Sequence, residues 1–434
     1  MRVFLALAAC AAVARAEEAI SAEVLQSVAA YLTIEDETRL PALETLLKGQ
    51  PFPVLERAVR ESARVDRVMR PGIRDFEIEV PGTKEKSKVY IFLPEGYDDA
   101  KTWPAIVSMH GTVETGGAQD ERARWMRKAR GEDQFVVVCP EERPSLWGKG
   151  WGSTPAERAL NLLALDEVLR KYRIDPDRVF LGGVSRGAHA TWELGLLNSD
   201  RFAGLYATAG GPRLVNFGFV GNLGKLPLLE VLGAKDQAQL VDNVRVAVKR
   251  MQEQGCEVDY REYADKDHFV GTEDDRVLVE WMEKRRRDLF PRKIVHAFCS
   301  AAHARAYWVE ATKLASGVMD PGRVPPRVTI PPGTKPTDAE LREIYTQKIA
   351  EGLARIEAKV EGNRIDITTR KVVEIAVYFS EKLVDLNQPV EVWINGKKVH
   401  SARVDRDGMK MLRHVRGTGD RGRVFANVLK FAVP

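Results

Sequence analysis

The ten residues Val179-Phe180-Leu181-Gly182-Gly183-Val184-Ser185-Arg186-Gly187-Ala188 constrain this chain more than any other stretch. An apolar run of strand character enters Gly183-x-Ser185-x-Gly187, and a helical pattern leaves it at once. A strand that turns sharply into a helix needs small residues two places before and two after the turning serine, because bulk there strikes neighbouring strands. Such a turn lifts the hydroxyl clear of the sheet and aims a helix N-terminus at negative charge developing beside it. The five-residue pattern alone is common. Its strand-before, helix-after setting makes Ser185 a candidate nucleophile rather than an incidental surface serine.

A serine hydroxyl needs a base to act as a nucleophile, and around this kind of turn the chain order is serine, acid, histidine. Seven histidines make the search short. His268 follows a late strand pattern, Val258–Tyr263, and the turn-forming Ala264-Asp265-Lys266-Asp267, so it is the expected base. The acid should close the preceding strand, where Leu228 to Ala234 runs into Lys235-Asp236. Asp236 is therefore preferred to Asp265 and Asp267, which share the histidine's own loop. Two backbone N–H groups should face the developing oxyanion: that of Arg186, directly after the serine, and that of Thr112, in the loop after the strand Ala105–Met109. His110 either braces that loop or is an ordinary core histidine. Trp147 and Trp151 bracket Gly148-Lys149-Gly150, where they either line a substrate pocket or staple the loop to the core.

From about 74 to 290, short apolar runs alternate with helical patterns, which predicts a mostly parallel, doubly wound sheet. Strands are expected at Val89–Leu93, Ala105–Met109, Phe135–Cys139, Val179–Val184, Gly204–Thr208, Leu226–Leu232 and Val258–Tyr263. Helices are expected at Pro155–Lys171, Arg186–Asn198, Leu240–Gly255 and Asp274–Arg287. Before this unit, residues 17–73 read as an amphipathic helical extension, a cap or a pro-region. After it, 291–337 reads as a linker with a strand-like start near Ala306–Glu310, followed by prolines. Residues 338–434 read as a small β-rich accessory domain, with a helix at Asp338–Glu351 and a hairpin turning on Asn395-Gly396.

The segment Arg173-Ile174-Asp175-Pro176-Asp177-Arg178-Val179-Phe180-Leu181, leading into the serine turn, resembles the secreted esterase branch of the α/β-hydrolases. That branch includes polyhydroxybutyrate depolymerase-like and feruloyl- or acetylxylan-esterase-like enzymes. Phe202-Ala203-Gly204 and the ordered Asp236 and His268 segments fit the same pattern over about residues 85–290. The resemblance implies an α/β-hydrolase fold and ester hydrolysis through an acyl-serine intermediate, on a small-molecule or polymer-linked ester, without a cofactor. Ala188 departs from a frequent second glycine, and Leu232-Gly233 from a frequent His-Gly. Neither change removes a catalytic atom.

Other features narrow the remaining options. Met1-Arg2, an apolar run from Val3 to Val13 and Ala14-Arg15-Ala16 have the form of a signal peptide over residues 1–16, predicting a secreted or periplasmic protein. Leu7-Ala8-Ala9-Cys10 offers the alternative of a lipoprotein anchored at Cys10. With 66 basic and 62 acidic residues, net charge is +4, and nothing in it calls for nucleic acid. Seven cations between Arg403 and Arg423, against Asp405, Asp407 and Asp420, suggest weak binding to an anionic surface or a solvated face. His296, Cys299 and His303 are zinc-binding residue types without an evident fourth ligand, so no metal site is expected. Against the esterase stand a serine peptidase of the prolyl-oligopeptidase kind and a binding protein on a hydrolase scaffold. No propeller-sized run of repeats accompanies the α/β pattern, which disfavours the first.

Overall fold

Eight strands carry the serine turn. They are β1 (Gly72–Glu79), β2 (Lys86–Leu93), β3 (Trp103–Met109), β4 (Val136–Pro140), β5 (Ile174–Val184), β6 (Gly204–Thr208), β7 (Leu228–Gly233) and β8 (Val258–Tyr263). The computed structural model describes residues 19–434 apart from 35, 63–69, 113–116, 130–133, 143–153, 271–274, 324–325 and 331–332. The strand order is β1-β2-β4-β3-β5-β6-β7-β8. β2 runs antiparallel to both neighbours, and β4 through β8 are parallel. Inner parallel strands are covered on both faces, which explains their unbroken apolar runs. In β4, Val136 and Val138 join the core on one face while Val137 and Cys139 join the core on the other. That is the two-residue strand period expressed as two cores.

Helices cross between the strands at α4 (Gly117–Met126), α5 (Pro155–Lys171), α6 (Arg186–Leu197), α7 (Ala238–Glu253) and α8 (Asp275–Glu283). The long helix α5 starts at a capping box: Thr154 accepts from the Glu157 N–H, and Glu157 accepts from the Thr154 N–H at 2.8 Å. α8 ends at Glu283, four residues before the expected Arg287, whose side chain has another use described below.

One core residue stands out. Glu230, fully buried on β7, accepts a 2.8 Å bond from Trp192 Nε1, and its other carboxyl oxygen has no partner. Burial pushes its pKa well up, so the folded protein favours the protonated form over a pH range in which the unfolded chain ionises it. Stability from this group is complete below the ordinary glutamate pKa and declines as pH rises above it. Glu230→Gln keeps the acceptor for Trp192 and removes the ionisation. It is expected to raise the thermal midpoint by roughly a few degrees at pH 8 and less at pH 5. Calorimetry at the two pH values checks this, and an unchanged or lowered midpoint at pH 8 would contradict it.

The expected 291–337 linker is largely structured. β9 (Lys293–Phe298) pairs with β12 (Ala354–Glu361), and β10 (Arg305–Ala306) and β11 (Val309–Leu314) form an edge hairpin. With β13 (Arg364–Arg370), β14 (Val372–Phe379), β15 (Val390–Ile394), β16 (Lys397–Ala402) and β17 (Asn427–Ala432) they make two sheets, β10-β11-β14-β17 and β16-β15-β13-β12-β9. The sheets share one core, a sandwich running from Lys293 to Ala432 rather than from 338. The partner of β9 lies some way along the chain, so local pattern could not reveal the pairing. The Asn395-Gly396 hairpin forms as expected, with both residues at positive φ, 48° and 79°. α9 (Asp338–Gly352) packs on the 214–223 segment of the larger unit.

The N-terminal helices α1 (Ala22–Thr33), α2 (Leu40–Lys48) and α3 (Phe52–Glu61) share a core with α10 (Gly408–Thr418). The basic tail supplies much of this contact. Arg413 pairs with Glu44, Arg416 donates to the Tyr31 and Ile34 carbonyls, and Arg421 donates to Ser62 O. Arg406 pairs with Glu381. Folding thus brings distant carbonyls and carboxylates to Arg406, Arg413, Arg416 and Arg421, while Arg413 and Lys410 stay largely exposed. Arg423 goes deepest. It pairs with Asp200 at 2.8 Å and Asp420 at 3.1 Å, while Arg287 holds Asp420 at 2.7 Å and Asp177 at 2.9 Å. These ions join the α/β unit to the sandwich.

Candidate active site

Gly183 and Gly187 make the serine turn possible. A Cβ on Gly187 would lie 2.1 Å from the Met109 carbonyl oxygen, and one on Gly183 would lie 2.5 Å from the same atom. β3 therefore presses directly on the turn, and only glycine fits at either place. Ser185 sits at φ 56°, ψ −117°, a conformation a side chain rarely adopts. Its N–H donates to Thr208 O at 2.8 Å, which fastens the strained residue to β6.

Ser185 Oγ lies 3.0 Å from His268 Nε2, and His268 Nδ1 lies 2.8 Å from Asp236 Oδ2. Asp236 Oδ1 accepts from the Gln237 N–H at 2.7 Å, so both carboxylate oxygens are engaged. The Asp236 side chain is only 2% exposed and that of His268 38%. With the carboxylate accepting at Nδ1, the imidazole carries its proton there and presents a bare Nε2 to the hydroxyl. The two loops that meet here are tied by backbone bonds, Lys235 N–H to Lys266 O and Ala234 N–H to Tyr263 O. Ser185, Asp236 and His268, chosen by chain order, are thus brought into one hydrogen-bonded row.

A sheet in this strand order, with a strained serine between its fifth strand and the following helix, decides the architecture. The unit is an α/β-hydrolase domain. Around its serine, Gly111 packs 3.5 Å from Ser185 Cβ, measured from where its own Cβ would lie, and Thr112 follows directly. Arg186 is the first residue of α6, so its N–H is one of the helix's unpaired donors. His110 is buried. Its ring bonds Gly111 O through Nδ1 and accepts from the Glu142 N–H through Nε2, so it braces the Gly111–Thr112 loop against the end of β4. Burial lowers its pKa and keeps it neutral. Trp147 and Trp151 lie outside the described residues.

Two further side chains at the site were not singled out from sequence. His189, one turn into α6, bonds Gly211 O at 2.5 Å and so ties α6 to the loop after β6. Phe269 is 82% exposed and meets the His268 ring edge-on at 5.8 Å. An aromatic immediately after His268 was a visible signal; its exposure was not. The zinc-type residues behave as structure. His296 bonds His303 O, His303 faces Asn198, and Cys299 receives Arg158. Among the described residues, no group of three or more His, Cys, Asp or Glu could hold a metal ion. A cavity of about 450 Å³ opens beside Trp103, Phe135 and Phe180, toward the opposite ends of the strands from Ser185.

No protein-family model matches the chain. It is 27% identical over 129 residues to dipeptidyl-peptidase 5 of Porphyromonas gingivalis, covering 28% of this chain and 19% of that one. It is 30% identical over 118 residues to poly(3-hydroxyalkanoate) depolymerase C of Paucimonas lemoignei, covering 25% and 28%. The chain thus spans well under a third of the length of these relatives. Among solved structures, a thermostable esterase covers 50% of the chain at 22% identity and a TM-score of 0.41. A ferulic acid esterase covers 49% at 17% identity and a TM-score of 0.40, with 98% of its own length matched.

Proposed function

We propose that the protein is a serine hydrolase of carboxylic esters, with Ser185 as nucleophile, His268 as base and Asp236 as acid. The row Asp236–His268–Ser185, with both contacts at hydrogen-bond length, carries this reading. His268 Nε2 takes the hydroxyl proton as Ser185 Oγ attacks the ester carbonyl. The N–H groups of Arg186 and Thr112 receive the oxyanion. As the tetrahedral intermediate collapses, the proton passes from Nε2 to the departing alcohol, leaving an acyl-serine. Water then enters by the same route and releases the acid. Asp236 holds the tautomer and offsets the imidazolium charge. A hydrolytic role is in keeping with the depolymerase and the peptidase that the chain is similar to, and a secreted location would suit polymer-linked esters.

A peptidase is the second reading, favoured by the likeness to dipeptidyl-peptidase 5. Among the described residues, the units flanking the hydrolase domain are a helical cluster and a two-sheet sandwich, and no β-propeller gates the serine. Amide cleavage also requires fuller protonation of the leaving amine than an alcohol needs. Short-chain p-nitrophenyl esters are expected to turn over, with little or no release from aminoacyl or prolyl p-nitroanilides. Equal or higher kcat/KM on the anilides would replace the esterase by the peptidase.

A further inference from the structure

Arg186 is placed where folding gives it no support. As the first residue of α6 it lies at the positive end of the helix dipole, where a cation is disfavoured. Its side chain is half-buried and makes no hydrogen bond or ion pair among the described residues. The neighbouring charges are already committed to one another. Arg213, in the loop after β6, faces Glu193 Oε2 at 3.8 Å, while Glu193 Oε1 lies 3.3 Å from Arg158 Nε. Arg158 also pairs with Asp320 at 2.7 Å. Arg213 and Arg158 thus share Glu193, Arg158 also holds Asp320, and Asp236 is held by His268.

The charges of Arg213 and Arg186 both reach His189, whose pKa burial lowers first and these charges lower further. His189 thus stays neutral, sets these groups around one imidazole and supplies no counter-charge. Beside His268 the Phe269 ring is exposed and apolar, and the exposed Asp267 carboxylate accepts from the Phe269 N–H at 2.9 Å. A guanidinium with no partner among the described residues beside the nucleophile, with an exposed aromatic beside the base, is a surface complementary to an amphipathic anion.

Resting on the ester-hydrolase reading above, we propose that the preferred substrates are esters that themselves carry a carboxylate. The Arg186 guanidinium receives the carboxylate, Arg213 adds to the local field, and the Phe269 ring contacts the apolar part of the ester. Arg186 then acts twice, its N–H toward the oxyanion and its side chain toward the substrate's charge.

The test compares mono(p-nitrophenyl) glutarate with p-nitrophenyl valerate, which match in acyl length and differ in charge. At low ionic strength the wild-type kcat/KM should favour the glutarate by about tenfold or more, the worth of a hydrogen bond to a charged group. The ratio should shrink as salt is raised, since part of the attraction is screened. It should collapse in Arg186→Gln and survive in part in Arg186→Lys. A wild-type preference for valerate, or a ratio that Arg186→Gln leaves unchanged, would overturn the proposal. If neither ester is turned over, the ester-hydrolase reading has failed. The charge receptor is then read separately, by calorimetry of monoethyl glutarate and ethyl valerate with Ser185→Ala protein. Tighter binding of the glutarate supports the receptor, and equal binding overturns it.

Discussion

Ser185→Ala is expected to lower ester kcat on the order of a million-fold, and His268→Ala by a similar factor. In the proposed mechanism the two side chains, 3.0 Å apart, share one proton transfer, so removing either ends it. Their effects should not add: the double variant should be about as slow as each single one. Asp236→Asn should cost about 10⁴-fold, because an amide favours the wrong imidazole tautomer without moving the ring. Some rate above the uncatalysed reaction should persist in every variant from the two backbone donors, which these substitutions leave in place. Initial rates with a short-chain p-nitrophenyl ester measure all of this, with circular dichroism to show that each variant is folded. A fluorophosphonate probe should label Ser185 in the native protein, and peptide mapping should locate it there. Undiminished turnover in Ser185→Ala, or labelling at another residue of folded protein, would remove the assignment.

The second large effect concerns stability. Asp420 is 1% exposed and sits between Arg287, 1% exposed, and Arg423, 2% exposed. Burial alone would raise its pKa, and the two guanidinium groups overcome that and hold it far below the ordinary aspartate value of 3.8. Asp420→Ala leaves both cations buried with one fewer carboxylate, and is expected to destabilise the protein by about 3–5 kcal/mol. Asp366→Ala is the control. Its pair with Arg364 is exposed, at 47% and 40%, and should be worth about 0–1 kcal/mol. Urea unfolding of the two variants compares them directly, and similar midpoint shifts would contradict the ranking. The pH dependence has a definite sign. Asp420 and Asp200 both have depressed folded-state pKa values, so their contribution is complete above the ordinary aspartate pKa and drains away as pH falls below it. Contacts between the hydrolase domain and the sandwich should therefore loosen in strong acid.

Replacing a buried ion group with apolar residues can be neutral or better for stability, so this network is not itself an argument for a stable fold. Its geometry suits orientation. Asp177 and Arg287 come from the hydrolase domain, Asp200 from the turn after α6, and Asp420 and Arg423 from the end of α10. The salt bridge Arg158–Asp320 makes a second such join at 2.7 Å. Helix α6 carries both Ser185 at its start and Glu193 in its third turn, so the sandwich reaches the serine's own helix through side chains rather than through a loop.

The features legible in the sequence are those whose causes lie within a few residues. Glycines two places either side of Ser185, an apolar run before it and a helical period after it describe a steric requirement that neighbouring atoms impose. The same locality gives helix α5, whose Thr154 and Glu157 cap it, and the Asn395-Gly396 hairpin, whose two left-handed residues define its turn. Chain order then brought His268 and Asp236 to Ser185, because parallel strands deliver their loops to one edge of the sheet. What tertiary structure alone decided are the partners of groups that have no local partner. β9 needed β12 to become a strand, and the arginines between Arg403 and Arg423 needed carboxylates and carbonyls from the N-terminal helices and the hydrolase domain. Which cations end up paired, and that Arg186 has no partner among the described residues, depends on where folding sets charges separated by tens to hundreds of residues. Charge is readable in a sequence, whereas its compensation is a property of distances in space.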